Sequence, residues 1–382
     1  MSNDDHPTHA TAASPTNPGL VMVTTTHMSN GPDAIARLDD GRVAFIAGAA
    51  PNERVEARVV SDHGSYVKAV VTKVIEASPD RRDPPCTHAR AGVCGGCPWQ
   101  HLSDPRQHAE KEALIRREAA RHLPSVTVHP ILTPLPPFGY RRRARFGHRD
   151  GKVGYRTRGT HSLFEIEQCP ILHPDLEAAL PAVRHAVRHR ASGNVDAMVF
   201  PDGRVRVGEE AAPFAQPSAD AEAALVELVL AALPSESIRL VELFAGAGTF
   251  TVPILARGHR VDAYEGDRVT VSRLREAAPK ARAFQANLLK ADRSPTDPLH
   301  FGPADCVLLD PPRAGALPCI AAIAATGAHT VIYVSCDPMT LFRDLKALTA
   351  LEYEVTSIQP VDAFPQTPHI ETVAICRRPL PN

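Results

Sequence analysis

A cysteine lies at the end of an apolar run in the segment V-I-Y-V-S-C-D-P, residues 331–338. The run from Val331 to Val334 has the composition of a strand that is buried on both faces. Because ligands bind at the carboxyl edge of the strands in open α/β sheets, the pattern predicts that Cys336 stands where a substrate could reach it. A thiolate in that position is a candidate nucleophile. An isolated cysteine is more often an inert buried side chain, so the assignment depends on the residues around it.

A second apolar run, D-C-V-L-L-D-P-P-R at residues 305–313, ends on Asp310 and continues through two prolines to Arg313. The prolines stiffen a loop at the same edge of the sheet. Amino-methyltransferases resemble this segment but carry an aromatic residue at its fourth position, where Arg313 suggests recognition of a phosphate or a carbonyl. An amino-methyltransferase, for which Cys336 would be dispensable, is therefore one alternative.

A glycine-rich turn separates a strand from a helix in V-E-L-F-A-G-A-G-T-F, residues 241–250. Gly246 and Gly248 would let the backbone approach a ligand closely. Glu265 ends the next strand, where a carboxylate can bind two ribose hydroxyls. Phe250 replaces the third glycine of the dinucleotide motif. This favours S-adenosylmethionine, which has a ribose but no pyrophosphate, over a dinucleotide.

Four cysteines form a second group. Cys86, Cys94 and Cys97 lie in a loop rich in glycine and proline, and Cys169 follows much later in the chain. Three such closely spaced thiols predict a metal site. Zinc and a 4Fe-4S cluster both accept four thiolates, and spacing does not separate them. One close pair with two outlying ligands is less typical of a zinc ribbon.

The composition of the chain indicates the class of protein and the number of domains that position these groups. The 382 residues are 43% apolar and 22% charged, with a formal net charge of -1, which predicts a soluble globular protein of two or three domains. The charge argues against a uniformly basic nucleic-acid binder. We find neither a run of about 18 apolar residues nor a secretory signal, so we expect a cytoplasmic protein with no membrane contact.

The pattern along the chain predicts four regions. Residues 1–19 lack large apolar side chains and predict a disordered tail. Residues 20–78 alternate in short β-branched runs and predict a small β-barrel. A β-rich, cysteine-bearing region is expected over 79–213. From 214 to 382, helix and strand signals alternate, which predicts an α/β fold with a doubly wound sheet.

Two segments of the middle region have their own patterns. Residues 103–122 predict a polar helix capped near Ser103, for which a solvated surface helix is the expectation. Residues 140–158 predict a hairpin that turns at Asp150 and Gly151 and carries eight cations against one acid. Such a run is commonly a solvated face, but with interleaved aromatic residues it favours RNA phosphates and bases. A second hairpin is expected around residues 201–203.

The strand-end cysteine, Asp-Pro-Pro-Arg and the segment F-P-Q-T-P-H-I-E at residues 364–371 together resemble the S-adenosylmethionine-dependent RNA uracil-5 methyltransferase family. The resemblance covers roughly residues 20–382, and the barrel motifs A-R-L-D-D-G-R-V and S-Y-V-K-A-V-V resemble the TRAM domain. It implies that Cys336 is the nucleophile and Glu371 the proton-abstracting base. It implies methyl-donor contacts from Gln216, Phe244, Gly246, Gly248, Thr249, Glu265, Asn287 and Asp310.

The same resemblance implies a 4Fe-4S cluster on the four cysteines, with zinc as the alternative, and a monomer that acts on RNA. Ribosomal RNA is favoured and transfer RNA is possible. The implied RNA-binding residues are Arg141, Arg142, Arg143, Arg145 and Arg313. A non-catalytic RNA-binding protein with a vestigial methyltransferase domain is the alternative from another class.

The chemistry of uracil requires these residue types independently. C5 of uracil is a poor nucleophile, but addition of a thiolate at C6 gives C5 enolate character, so that C5 can take up a methyl group. A base must then remove the C5 proton. A free cysteine titrates near ~8.5, so Cys336 needs activation, for which the helix start at Pro338 offers a favourable dipole. Asp337 stands where the family often has asparagine, and its charge is expected to disfavour the thiolate.

Overall fold

The computed structural model describes residues 19–208, 218–290 and 299–378. The chain forms two compact units, Met1–Arg81 and Arg82–Asn382. Almost all of the predicted tail, and Gln216, lie outside the described residues. In the part of the chain that the structure describes, no helix is both long enough and apolar enough to cross a bilayer.

The first unit is a closed five-stranded barrel, as predicted, with the strand order β1-β2-β3-β5-β4. Buried and exposed side chains alternate along its strands, because successive residues of a strand point to opposite faces. Its strands are β1 (Leu20–Met28), β2 (Asp33–Arg37), β3 (Val43–Ala47), β4 (Arg54–Asp62) and β5 (Tyr66–Glu76).

The second unit begins with α1 (Thr87–Arg90), α2 (Asp104–His122) and β6 (Thr127–Val128). The helix predicted over 103–122 is confirmed: the Ser103 side chain accepts a hydrogen bond from the Arg106 amide at its start. The helix is not a solvated surface element, however. Leu114 and Ile115 are buried, and the polar residues Gln107 and Lys111 are buried beside them.

An antiparallel sheet follows, with the strand order β11-β10-β7-β8-β9. Both predicted hairpins are confirmed, and the first turns at Asp150 and Gly151, whose φ angles are 51° and 78°. Helices pack on one face of the sheet. The elements are β7 (Arg143–Arg149), β8 (Lys152–Arg156), β9 (Leu163–Glu165), α3 (Pro174–Ala178), α4 (Leu180–Val187), β10 (Ser192–Val199) and β11 (Val205–Val207).

The C-terminal sheet has eight strands in the order β14-β13-β12-β15-β16-β18-β17-β6. Its strands are β12 (Arg239–Leu243), β13 (Arg260–Glu265), β14 (Arg282–Gln285), β15 (Cys306–Leu309), β16 (Thr330–Ser335), β17 (Glu354–Val361) and β18 (Glu371–Arg377). Its helices are α5 (Ala219–Ala232), α6 (Thr251–Ala256), α7 (Arg268–Ala277), α8 (Ile320–Ala325) and α9 (Pro338–Thr349), with a 3₁₀ turn at Leu317–Cys319.

Strands β12 to β16 run parallel, whereas β18 is antiparallel to both of its neighbours. This is the doubly wound α/β sheet predicted from the alternating pattern. Strand order reverses between β12 and β15, the switch point at which such sheets bind ligands. The run from Val331 to Val334 is wholly buried, as its composition predicts. The proposed boundary between residues 213 and 214 stays a prediction.

Candidate active site

A cavity of about 840 Å³ opens at the carboxyl edge of the parallel strands, within the range of small-molecule sites. Cys336 follows β16, Asp310 follows β15, and Glu371 begins β18, so three separate strands deliver the candidate catalytic groups to it. The edge of the sheet therefore gathers residues that lie far apart in the sequence.

The glycine-rich turn after β12 forms one wall of the cavity. Phe244 and Gly246 line it and have left-handed φ angles of 60° and 56°. For a phenylalanine this backbone conformation is strained, and such strain concentrates at functional sites. Gly248 does not line the cavity; its φ is 104°, and a Cβ there would lie 3.1 Å from the Leu274 side chain. Its role is to let the turn pack against α7.

Glu265 and Asn287 also line the cavity, and Glu265 contacts the glycine-rich turn. One carboxylate oxygen of Glu265 accepts a hydrogen bond from the Gly246 amide at 3.0 Å, and the other accepts bonds from the amides of Gly266 and Asp267 at 2.7 and 2.9 Å. These amides fix the carboxylate at the end of β13, where the sequence places a group for ribose hydroxyls. Thr249 also lines the cavity.

The thiol of Cys336 is half-buried at the end of β16. Burial raises its pKa to about 11, and the charges of Glu371, Asp310 and Asp337 add to the effect, while Arg313 opposes it. The expectation that Asp337 disfavours the thiolate thus agrees with the structure. Asp337 also caps α9, accepting hydrogen bonds from the amides at the second and third positions of the helix.

The two acids beside Cys336 also favour their neutral forms. Glu371 is 4% exposed, and burial, together with the Asp310 charge, raises its pKa well above the ordinary value. Burial raises the pKa of Asp310 to about 7. A carboxyl group with a pKa of about 7, that of Asp310, can take up and release a proton near neutral pH.

His369 and Arg313 lie together at the mouth of the cavity, with Arg313 Nη2 3.1 Å from Nε2 of His369. Burial and the Arg313 charge lower the pKa of His369 to about 4, so the imidazole is neutral at physiological pH. The ring of Phe364 meets that of His369 edge-on at 5.9 Å. Phe364 and His369 lie in the motif that marks Glu371, but sequence reasoning gave them no role.

Three of the four hairpin arginines predicted to bind RNA line this cavity: Arg141, Arg143 and Arg145. Arg145 Nη2 lies 2.9 Å from an Asp196 carboxylate oxygen, although its side chain remains 65% exposed. Arg142 instead forms an ion pair with Glu222 of α5 at 2.8 Å and does not line the cavity. Asp196, on β10, is a lining residue that the sequence did not indicate.

The other cysteine group lines a separate small cavity, to which Cys86, Cys94, Cys97 and Cys169 all contribute. Burial raises the pKa of Cys97 to about 12, and the nearby sulfurs of Cys169, Cys94 and Cys86 raise it further. Within the described residues, no three His, Cys, Asp or Glu side chains are arranged to hold a metal ion. The structure thus brings the four predicted thiols together without forming a ready ion site.

Known proteins resemble this chain over most of its length. The family model for tRNA (uracil-5-)-methyltransferase matches residues 268–378. The 23S rRNA (uracil(1939)-C(5))-methyltransferase RlmD of Pseudomonas entomophila is 32% identical, over 88% of this chain and 89% of the relative. The protein of the same name from Salmonella typhimurium is 30% identical, over 94% of this chain and 96% of the relative.

The chain belongs to the RNA uracil-5 methyltransferase family.

A solved member with this fold is the tRNA (uracil-54, C5)-methyltransferase of Pyrococcus abyssi, described in complex with S-adenosyl-L-homocysteine. It matches with a TM-score of 0.71 and 19% identity, over 93% of this methyltransferase and all of that chain. The likeness supports the fold, including the barrel and the doubly wound sheet.

Proposed function

We propose that this methyltransferase transfers a methyl group from S-adenosylmethionine to C5 of a uridine in 23S ribosomal RNA. One observation carries the proposal: Cys336, Glu371 and Asp310 face a single cavity although they come from three strands. C5 methylation of uracil requires a nucleophile that attacks the ring and a carboxyl group that removes a proton from the same ring. Methylation of an exocyclic amine would not need the thiol.

In the proposed reaction, the Cys336 thiol gives its proton to solvent as its sulfur bonds to C6 of uracil, so that the electron pair of the C5–C6 double bond moves towards C5 and O4. Bound S-adenosylmethionine supplies the methyl group that C5 takes up. Glu371 in its ionised form then removes the C5 proton, the electron pair of the C5–H bond re-forms the C5–C6 double bond, and the C6–S bond breaks with its pair returning to the sulfur of Cys336. Because the pKa of Cys336 is about 11, the thiol must be deprotonated during the attack rather than stored as a thiolate.

The residues that would hold the methyl donor all line the large cavity: Phe244, Gly246, Thr249, Glu265, Asn287 and Asp310. The amide-bound carboxylate of Glu265 suits ribose hydroxyls, and Asp310 places a titrating carboxyl group where a cationic ligand would favour its ionised form. Gly248 supports the glycine-rich turn from outside the cavity, and a contact from Gln216 stays a prediction.

The arginines at the cavity mouth support an RNA substrate. Arg141, Arg143, Arg145 and Arg313 gather beside the catalytic groups, and guanidinium groups suit phosphate and base edges. Ribosomal RNA is favoured over transfer RNA because the relatives that match at 30–32% identity over most of the chain are named for 23S rRNA. We further propose that the barrel is an RNA-binding TRAM domain.

We further propose that the four cysteines, which line one small cavity, hold a 4Fe-4S cluster. Burial and neighbouring thiols raise the pKa of Cys97 and of Cys169, so these groups need a cationic centre to become thiolates together. The four sulfurs would hold the cluster, with zinc as the alternative. Anaerobic purification followed by visible spectroscopy and elemental analysis separates the two, because only the cluster absorbs in the visible range and contains iron.

The test of the function is methylation of 23S rRNA and of transfer RNA transcripts with S-adenosylmethionine, followed by nucleoside mass spectrometry. We expect 5-methyluridine in 23S rRNA at one uridine, and none with Cys336→Ala. Methylation confined to transfer RNA would contradict 23S rRNA as the substrate and identify transfer RNA instead. An N-methylated base that persists in Cys336→Ala would support an amino-methyltransferase, and RNA binding without any product would support the non-catalytic alternative.

A further inference from the structure

The turn between β17 and β18, residues 362–370, brings catalytic groups to the cavity. Val361, the last residue of β17, pairs with Glu371, the first residue of β18, so the conformation of the turn fixes where Glu371 begins. Phe364 and His369 of the same turn line the cavity. Whatever anchors this turn therefore controls the base.

Lys111 of α2 anchors the turn from below. Its ammonium lies 2.6 Å from an Asp362 carboxylate oxygen and donates a hydrogen bond to the carbonyl of Phe364 at 3.0 Å. The side chains of Lys111 and Asp362 are 0% and 1% exposed, so the ion pair is sealed from water. One side chain thus holds two points of the turn.

A buried ion pair is a poor choice for stability alone. Desolvation of two charges offsets most of their attraction, and apolar replacements are often as stable. Burial lowers the pKa of Lys111 while the Asp362 carboxylate opposes that shift, and His108 Nε2 lies 3.3 Å from the other Asp362 oxygen. The pair fixes the positions of Asp362 and of the Phe364 carbonyl relative to α2, which an apolar contact would not do.

The same helix holds the turn at a second point. Gln366 is buried with a left-handed φ of 70°, a strained conformation for this residue. Its amide donates to the Gln107 side-chain oxygen at 2.8 Å, and its carbonyl accepts from the Trp99 amide at 3.1 Å. Tyr140 donates to the carbonyl of Pro365 at 2.9 Å. The turn is thus held in one strained geometry by the segment that precedes the arginine hairpin.

We propose that Lys111 is a positioning residue, which through Asp362 and the Phe364 carbonyl holds Glu371 where it can take the C5 proton. The inference rests on the proposed function. Without Lys111, Cys336 can still bond to C6 and C5 can still be methylated, because those groups come from other strands. The C5–H bond then breaks slowly, so its electron pair does not re-form the double bond and Cys336 stays attached to the RNA.

The experiment compares Lys111→Met with wild type, with Glu371→Gln as the reference for a missing base and with Lys346→Met, an exposed lysine of α9, as the matched control. Turnover and KM for RNA and methyl donor are measured on ordinary uridine RNA, and the protein–RNA adduct is quantified on denaturing gels. We expect Lys111→Met to lower kcat by about 10-fold to 100-fold, with both KM values unchanged and adduct accumulating as in Glu371→Gln.

A double variant, Lys111→Met with Asp362→Asn, guards against misfolding because it leaves no unpaired buried charge. We expect it to melt closer to wild type than Lys111→Met does, yet to turn over slowly and accumulate adduct. Wild-type turnover in the double variant, or lost activity without adduct, would overturn the inference. If Glu371→Gln also accumulates no adduct, the proposed function fails; if only Lys111→Met lacks it, this inference alone fails.

Discussion

Burial raises the pKa of Cys336 to about 11 and that of Cys97 to about 12, so both side chains are thiols in the isolated protein near neutral pH. Their surroundings differ. Carboxyl groups and arginines surround Cys336 in a cavity of about 840 Å³, whereas Cys97 faces three other thiols.

The pKa of a thiol does not assign its role here, because burial is the largest cause of the raised pKa at both sites. The side chains around each thiol indicate its role instead. Beside Cys336, Glu371 can exchange protons with a substrate that enters from solvent. Around Cys97, the lining within the described residues contains no carboxylate, so a metal centre is what would draw off the thiol protons. The first site suits a carbon electrophile and the second suits metal ligation.

Cys336→Ala is expected to have the largest effect on activity. We expect methylation to fall by about 10³-fold or more, because no other thiol faces that cavity in the described part of the chain. The matched control is Cys376→Ala, which removes a buried cysteine of β18 outside the cavity and should keep most activity. Initial rates of methyl incorporation measure both. Comparable losses in the two variants would contradict a covalent role for Cys336.

If the other group holds the proposed cluster, replacement of one of its thiols, Cys97→Ser, should abolish cluster binding but leave the methyl-donor site intact. We expect loss of visible absorbance and bound iron, and a Tm lower by ~5 °C or more. Binding of S-adenosylmethionine, measured by calorimetry, should be unchanged. Weakened donor binding would mean that the two cysteine sites are not independent.

Arginine side chains line the Cys336 cavity, whereas no arginine is among the described residues that line the four-cysteine cavity. Arg145→Gln should weaken RNA binding several-fold and reduce the slope of log K against log salt by about 1, since its side chain is 65% exposed at the cavity mouth. Arg142→Gln is the matched control, because Arg142 is 12% exposed and pairs with Glu222. Salt titrations that show equal effects for both would count against the assignment.

Glu242 lines neither of the two cavities, and its raised pKa can be tested through the pH dependence of stability. Burial raises its pKa from the ordinary 4.5 to about 8, so the folded chain keeps a proton that the unfolded chain releases. Glu242 therefore makes wild type lose stability as the pH rises from 4.5 to about 8, and this contribution is absent from Glu242→Gln.

The free energy of unfolding of the variant, minus that of wild type, should grow with pH by up to about 1.4 kcal/mol per unit in this window. Urea denaturation at several pH values measures it, with the exposed Glu227→Gln as control. A difference that does not change with pH would show that Glu242 is ionised in the folded protein.

The strand ends were predictable because local patterns determine them. Apolar runs before Asp310 and Cys336 indicate buried parallel strands, and parallel strands meet at one edge. The anchoring of the turn was not predictable. Gln107 and Lys111 make α2 look like a solvated helix, because hydrophobic periodicity does not register polar residues whose partners lie about 250 positions later. Phe364 and His369 lie in a motif that the sequence shows, but their place in the cavity lining is visible only in the structure.

Covalent addition of Cys336 to a pyrimidine is the central claim, and trapping on 5-fluorouridine RNA tests it most directly. Fluorine at C5 cannot leave as a proton, so with S-adenosylmethionine present the adduct should persist as a shifted band on a denaturing gel. We predict that band in wild type and its absence in Cys336→Ala. No band, under conditions in which wild type binds both RNA and methyl donor, would contradict the account.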